Sequence, residues 1–248
     1  MIRRILLASL LSVAPLLAKD TPANTAVVPV SKLENDSYDW WQRHEAVLAA
    51  KAKIAPEIVL VGDSITHFWG GEPASPGLKP RGPGAWESVF GGKRVLNLGF
   101  GWDRTQNVLW RLDHGEVDGL KPKWIVVNIG TNNSSGTPNA RANSPAETAE
   151  GVAAILGKLK EKSPDSKIIL MAVFPRGEKA DDPKRAFIGG LNPLLAEIAK
   201  KQGATFIDLR DRFLAADGTL PKSLMPDGVH PNEAGYAIWA AALKEAMR

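Results

Sequence analysis

Apolar residues in this chain fall into short dense runs, separated by longer stretches in which they recur every three or four positions. Ile58-Val59-Leu60-Val61 is the first such run, and it stops abruptly at Gly62-Asp63-Ser64-Ile65-Thr66. An unbroken apolar run bounded by turn-forming residues predicts a strand buried on both faces. Arg94 to Leu98, Trp124 to Ile129, Lys167 to Phe174 and Ala204 to Leu209 repeat the pattern. Helical spacing appears between them. From Asp36 to about Lys53, the residues Trp40, Trp41, His44, Val47 and Leu48 share a face behind Asn35 and Asp36, the expected cap. Asp103 is expected to cap a helix through about Leu112. Ser144-Pro145-Ala146-Glu147 opens another to about Lys162, with a cap, a proline at the first helical position and an early acid. Lys184 to Lys201 and Glu233 to Met247 complete the helices, and the Gly- and Pro-rich residues 70–85 predict a long surface loop.

Strand followed by helix, repeated, predicts a parallel sheet covered on both faces. The expected fold is α/β, a single-domain three-layer α/β/α sandwich around a central five-stranded parallel sheet. Four of the five strands end in small or polar residues at the same edge. Open α/β sheets place their chemistry at that carboxyl edge.

Composition narrows the chemistry. The chain has 248 residues, of which 44% are hydrophobic, enough for one full core. It contains no cysteine, which excludes disulfides, thiolate metal sites and a cysteine nucleophile. Met1-Ile2-Arg3-Arg4 followed by the apolar Ile5 to Ala18 is too short to span a bilayer comfortably and reads as a secretory signal peptide over 1–18. Ala18 is the expected cleavage point, and a cut near Ala23 is a second candidate. The organisation expected is then a leader over 1–18, a lead-in over 19–34 and the folded domain over 35–248. The exported product would be periplasmic or extracellular and free of the membrane after processing. Without Arg3 and Arg4 the formal net charge falls from +4 to +2, and the remaining basic residues are scattered. Nucleic acid is not an expected partner.

Ser64 sits where the first buried strand ends. Near the other end of the chain, Asp227-Gly228-Val229-His230-Pro231 supplies a carboxylate and an imidazole three residues apart. A hydroxyl, a base and an orienting acid are the parts of a serine hydrolase. Alone, Gly-Asp-Ser is a weak signal and Asp-Gly-x-His is more often a surface turn than a dyad. Acyl transfer also needs donors for an oxyanion. Candidates are the Ser64 backbone N–H, the backbone of Gly99-Phe100-Gly101-Trp102-Asp103 and the side chain of Asn132, for which an Asx turn or helix cap is the competing reading. The four histidines lack metal-type spacing, and no cofactor is expected. His67 reads as a local loop residue, His44 and His114 as surface or packing residues, and Asp103 with Arg104 as a capping ion pair. Trp110, Trp124 and Trp239 read as core.

Taken together, Gly62-Asp63-Ser64, Asn97 to Thr105 with Val108 to Leu112, Gly130-Thr131-Asn132-Asn133, Pro175 to Glu178 and Asp227 to His230 resemble the SGNH, or GDSL-like, hydrolase superfamily. The likeness runs from about Glu57 to Leu243 and is closest to the intracellular-type platelet-activating-factor acetylhydrolase catalytic subunits and their bacterial relatives. It implies Ser64 as nucleophile, Asp227 as acid, His230 as base and Asn132 as an oxyanion donor. The family's oxyanion glycine falls at Trp102 here, so the backbone donor survives, while the indole either narrows or roofs the cleft or packs against the following helix. The resemblance further implies a small acyl pocket bounded by Ile65 and Val229, and hence acetyl esters. A small-molecule or polysaccharide ester is the expected partner, with O-acetylated carbohydrate ahead of a lysophospholipid or PAF-type ester. Trp69, Trp86 and Trp102 are candidate sugar platforms, with loop packing an equally good reading of each. A homodimer is the oligomer that the relatives suggest. The alternative of another class is a non-catalytic carbohydrate-binding module on the same scaffold.

Overall fold

The computed structural model describes residues 23–248. The predicted leader over 1–18 lies outside the described residues. Five parallel strands form one sheet: β1 (Ile58–Gly62), β2 (Val95–Gly99), β3 (Trp124–Asn128), β4 (Lys167–Met171) and β5 (Thr205–Ile207), in the order β2-β1-β3-β4-β5. The helices are α1 (Trp40–Ile54), α2 (Ser64–His67), α3 (Pro83–Phe90), α4 (Thr105–Asp113), α5 (Pro145–Lys162), α6 (Pro183–Gln202), α7 (Arg210–Phe213) and α8 (Glu233–Ala246).

Strand alternation divides the core into two layers. Val59 and Val61, Ile125 and Val127, and Ile168 and Leu170 face one side, where α1, α4, α5 and α6 close over them. Ile58 and Leu60, Trp124 and Val126, and Ile169 and Met171 face the other, under α3, α7 and α8. Strands β1 to β4 are buried on both faces, which is why they read as continuous apolar runs. No helix among the described residues is long and apolar enough to cross a membrane.

The element boundaries shift where a local bond outweighs the pattern. α1 starts at Trp40 rather than near Asp36, because Asp39 is the cap and accepts from the Gln42 N–H. The predicted loop over 70–85 gives way to α3, which begins at Pro83 and buries Ala85, Val89 and Phe90. β4 stops at Met171 instead of Phe174. Beyond it the buried Asn192 side chain takes over, accepting from the Val173 N–H at 2.9 Å and donating to its carbonyl at 3.0 Å. The Ser144 cap holds as predicted, completed by Glu147 reaching back to the Ser144 N–H. The described part of the lead-in packs on the domain: Ala26 is fully buried, and its carbonyl accepts from the Thr105 hydroxyl at 2.9 Å.

Candidate active site

The sheet order reverses at β1, so the connections leave β1 and β3 on opposite sides and open a crevice at their carboxyl ends. Ser64 follows β1, and Asn132 follows β3. At the turn after β1 the backbone passes close to its neighbours. A Cβ on Gly62 would lie 2.1 Å from Thr66 Oγ1 and 2.5 Å from the Asn128 carbonyl, so only glycine fits. Asp63 then caps α2 by accepting from the Ile65 N–H at 2.9 Å, and Ser64 becomes the first helical residue.

His230 reaches this hydroxyl from the far end of the chain. Ser64 Oγ lies 2.9 Å from His230 Nε2, and His230 Nδ1 lies 2.8 Å from Asp227 Oδ2. The tetrapeptide is folded by its own acid: Asp227 Oδ1 accepts from the backbone N–H of Val229 at 3.0 Å and of His230 at 2.7 Å. Gly228 between them has φ +72°. Burial raises the Asp227 pKa, but the backbone and ring N–H groups of His230 outweigh it and hold the carboxyl at about 2. An ionised carboxylate only accepts, so Nδ1 carries the proton and the Nε2 lone pair faces the serine hydroxyl. Burial also lowers the His230 pKa, against the pull of Asp227, which favours the neutral imidazole.

The third side of the site is built by the β2 exit loop. A Cβ on Gly101 would fall 1.9 Å from Asp36 Oδ2. Trp102 beside it holds a left-handed φ of +63° and remains 38% exposed at the cleft. Asn132 is buried in a short 3-10 turn and donates from Nδ2 to the Asp103 carbonyl at 3.0 Å, which leaves its second N–H available. Among the described residues, neither the Ser64 N–H nor the Trp102 N–H has a protein acceptor. Buried charges hold this loop from below. Arg111 pairs with Asp103 at 2.8 Å and with Glu116 at 2.5 Å, and Arg43 donates to the carbonyls of Gly99 and Asn97 at 2.7 and 2.9 Å. Burial raises the Asp103 pKa to about 6, with Arg111 and Trp40 opposing it.

Ser64, Trp102, Asn132, Asp227, Val229 and His230 line one cleft of about 400 Å³. Ile65 does not, which corrects its expected place in the acyl pocket. One step along α2 turns the side chain by about 100°, and Ile65 is 1% exposed in the core beside α8. Trp69 is corrected likewise: it is fully buried and stacks on Trp239, 4.4 Å between ring centres. Trp86 packs edge-on against Trp69. His67 is buried in α2 against Ser75 at 2.9 Å, not in a loop. Burial first, then Arg43 and Arg111, push its pKa down to about 2. Asp103 and Arg104 form no ion pair with each other. Asp103 takes Arg111 and the Trp40 indole N–H, while Arg104 caps α4 and donates to the Ser135 and Arg141 carbonyls.

Sequence reasoning gave no role at the site to Asp36, Phe68, Arg81 or Arg176, all of which line the cleft. Arg176 fell within a stretch that resembles the family, and the others had no signal beyond lying in or beside segments near the carboxyl edge. No group of three or more His, Asp and Glu side chains with metal-binding geometry occurs among the described residues.

Residues 60–238 match the GDSL-like Lipase/Acylhydrolase family. The chain is 33% identical over 226 residues to the platelet-activating factor acetylhydrolase IB subunit alpha2 of Rattus norvegicus, covering 90% of each protein. It is 30% identical to the alpha1 subunit of Homo sapiens, covering 91% of this chain and 89% of that one. An acetylxylan esterase from Geobacillus stearothermophilus shares the fold, with a TM-score of 0.61 at 23% identity over 77% of this chain and 93% of its own. The family match spans most of the chain and agrees with relatives aligned almost end to end, so this protein belongs to the GDSL-like lipase/acylhydrolase family and is a carboxylic ester hydrolase.

Proposed function

We propose that the enzyme hydrolyses short-chain esters, acetyl esters foremost, through a Ser64-His230-Asp227 triad, and that its substrates are O-acetylated carbohydrates. The observation that carries this is the unbroken chain of contacts from Asp227 Oδ2 through both imidazole nitrogens to Ser64 Oγ. His230 takes the hydroxyl proton as Ser64 attacks the carbonyl carbon, then delivers it to the departing alcohol, leaving an acyl-enzyme. A water, deprotonated by the same nitrogen, releases the acid. Asp227 keeps the proton on Nδ1 and stabilises the imidazolium. The N–H groups of Ser64, Trp102 and Asn132 receive the negative oxygen of each tetrahedral intermediate.

Acyl size is limited by the walls that remain once Ile65 is removed from the pocket, namely Val229 and Phe68. The exposed indole of Trp102 supports a carbohydrate, since a sugar ring can stack on it at the cleft mouth. A platelet-activating-factor-type acetyl ester is the second reading, favoured by the names of the relatives at 30% identity or more. Export of a catalytic domain over 35–248 belongs to the same proposal.

A fluorophosphonate should add its mass to Ser64 and leave Ser64→Ala unlabelled. Ser64→Ala should also lose at least ~10⁴-fold in kcat. Rates on p-nitrophenyl acetate should exceed those on butyrate and octanoate. Acetate release from acetylated xylan and from a PAF-type ester would choose between the two alcohols. A labelled protein with a flat acyl-length profile would remove the acetyl assignment, and an active Ser64→Ala would remove the nucleophile. An unlabelled, inactive wild type would point to a binding module instead.

A further inference from the structure

Most arginines whose guanidinium is buried here have their donors occupied. Arg111 binds two carboxylates and the Leu98 carbonyl, and Arg43 donates from all three nitrogens. Arg81, on the cleft, lies 3.5 Å from Asp227 and stacks over Phe68. Arg176 is different. It lines the catalytic cleft, yet forms no ion pair with any described residue. Its side chain makes two long contacts, both from Nη1, to the Thr131 carbonyl at 3.3 Å and to Ser135 Oγ at 3.4 Å. Nε and Nη2 have no acceptor among the described residues.

The backbone around it is fixed. The Arg176 and Gly177 carbonyls accept from Arg185 at 3.0 and 2.9 Å, and the Gly177 N–H donates to the Gly228 carbonyl at 2.8 Å. That last bond ties Arg176 to the loop that carries His230, and the Thr131 contact ties it to the turn that carries Asn132. Neither of the cleft's own carboxylates, Asp36 and Asp227, forms an ion pair with Arg176. Asp227 holds His230, and Asp36 Oδ1 accepts from the Ser37 N–H at 2.6 Å and from its hydroxyl at 3.2 Å. Arg176 therefore lines the site with unused donors, beside the loop that carries His230.

We propose that Arg176 is an anion-recognition residue for the leaving alcohol, so that preferred esters release an alcohol bearing a carboxylate or a phosphate. A planar guanidinium with its Nε and Nη2 edge open matches either group in a two-point contact. Burial lowers the Arg176 pKa, with Asp63, Asp182 and Asp227 only partly offsetting it, so a bound anion would restore the solvation that the cleft removes. The proposal rests on the esterase reading above and adds the charge of the alcohol to it.

The test pairs para-acetoxybenzoate with its uncharged methyl ester, in wild type, Arg176→Gln and Arg176→Lys. In Arg176→Gln the ratio of kcat/KM for acid over methyl ester should fall by about 10- to 100-fold, chiefly through KM. Arg176→Lys should fall between the two, because it keeps the charge and loses the fork. An unchanged ratio overturns the proposal, whatever happens to the separate rates. A wild type that hydrolyses neither probe overturns the esterase reading instead. Should the variants not fold, inhibition of wild-type p-nitrophenyl acetate hydrolysis decides: para-hydroxybenzoate must inhibit more strongly than its methyl ester, and equal or weaker inhibition refutes the proposal. An O-acetylated uronate oligosaccharide and an acetylated glycerol phosphate then separate the two sources of the anion, by which one loses more of its rate in Arg176→Gln.

Discussion

Asp227→Asn changes one atom and should nearly abolish activity, for a reason visible in the hydrogen bonds. Asp227 Oδ1 accepts from two backbone N–H groups, at 3.0 and 2.7 Å, while Oδ2 faces His230 Nδ1 at 2.8 Å. An asparagine must keep its carbonyl oxygen toward the two backbone donors. The opposite orientation would give up two hydrogen bonds, each about 1 kcal/mol, and set an NH₂ against two N–H groups. The amide nitrogen is thus forced toward Nδ1, which must then accept. The proton moves to Nε2, and the imidazole can no longer take one from Ser64. In the proposed triad the wrong tautomer should cost about 10⁴-fold in kcat, or about 5.5 kcal/mol of transition-state stabilisation. The fold should hardly notice, since the Asp227 side chain is 48% exposed and its contact with Arg81 is long. The assay is kcat on p-nitrophenyl acetate beside a urea unfolding curve. A folded Asp227→Asn that keeps more than a tenth of wild-type kcat would refute the tautomer argument.

Asn132→Ala should lower kcat by about 10²- to 10³-fold with little change in KM, and a change confined to KM would remove Asn132 from the oxyanion site. Burial lowers the His230 pKa, so the acid limb of kcat/KM should have its inflection below pH 6.5, and an inflection above it would contradict a buried neutral base. Burial raises the Asp63 pKa to about 7, so its contribution to stability is full below about pH 4 and is lost as pH rises through 7. Asp63→Asn should therefore flatten the fall of the urea midpoint between pH 4 and 8, by at most about 4 kcal/mol. Equal slopes in both proteins would clear Asp63. Trp102→Gly relieves a left-handed backbone that costs a non-glycine residue about 1 kcal/mol, so it should keep its melting temperature within a few degrees while raising KM for an acetylated xylooligosaccharide. A normal KM would leave the indole without a role in binding.

Strands β1 to β4 were legible because they are buried on both faces almost throughout, so burial wrote them as apolar runs. The Ser144 cap was legible for a similar reason: a cap, a proline and an acid act over four residues. α3 was not. It is only eight residues long and follows directly on the Gly- and Pro-rich stretch, and its apolar side is held by packing against α8, far away in sequence. β4 was overextended because Asn192, from another helix, supplies the bonds that a neighbouring strand would have made.

The sequence by itself determined a parallel α/β sheet, the turn that presents Ser64 and the acid-folded loop around His230, since all of these depend on burial or on contacts within a few residues. Tertiary structure alone decided which side chains meet. Ser64 and His230, 166 positions apart, are brought together by the strand order, and no local preference encodes a distance across the sheet. It also decided direction: helical rotation carries Ile65 into the core while its neighbour Ser64 faces the cleft, and the path of the chain after β4 leaves Arg176 with open donors beside His230. Side-chain identity survives in a sequence, but the solvent or protein each group faces is set only when the elements pack.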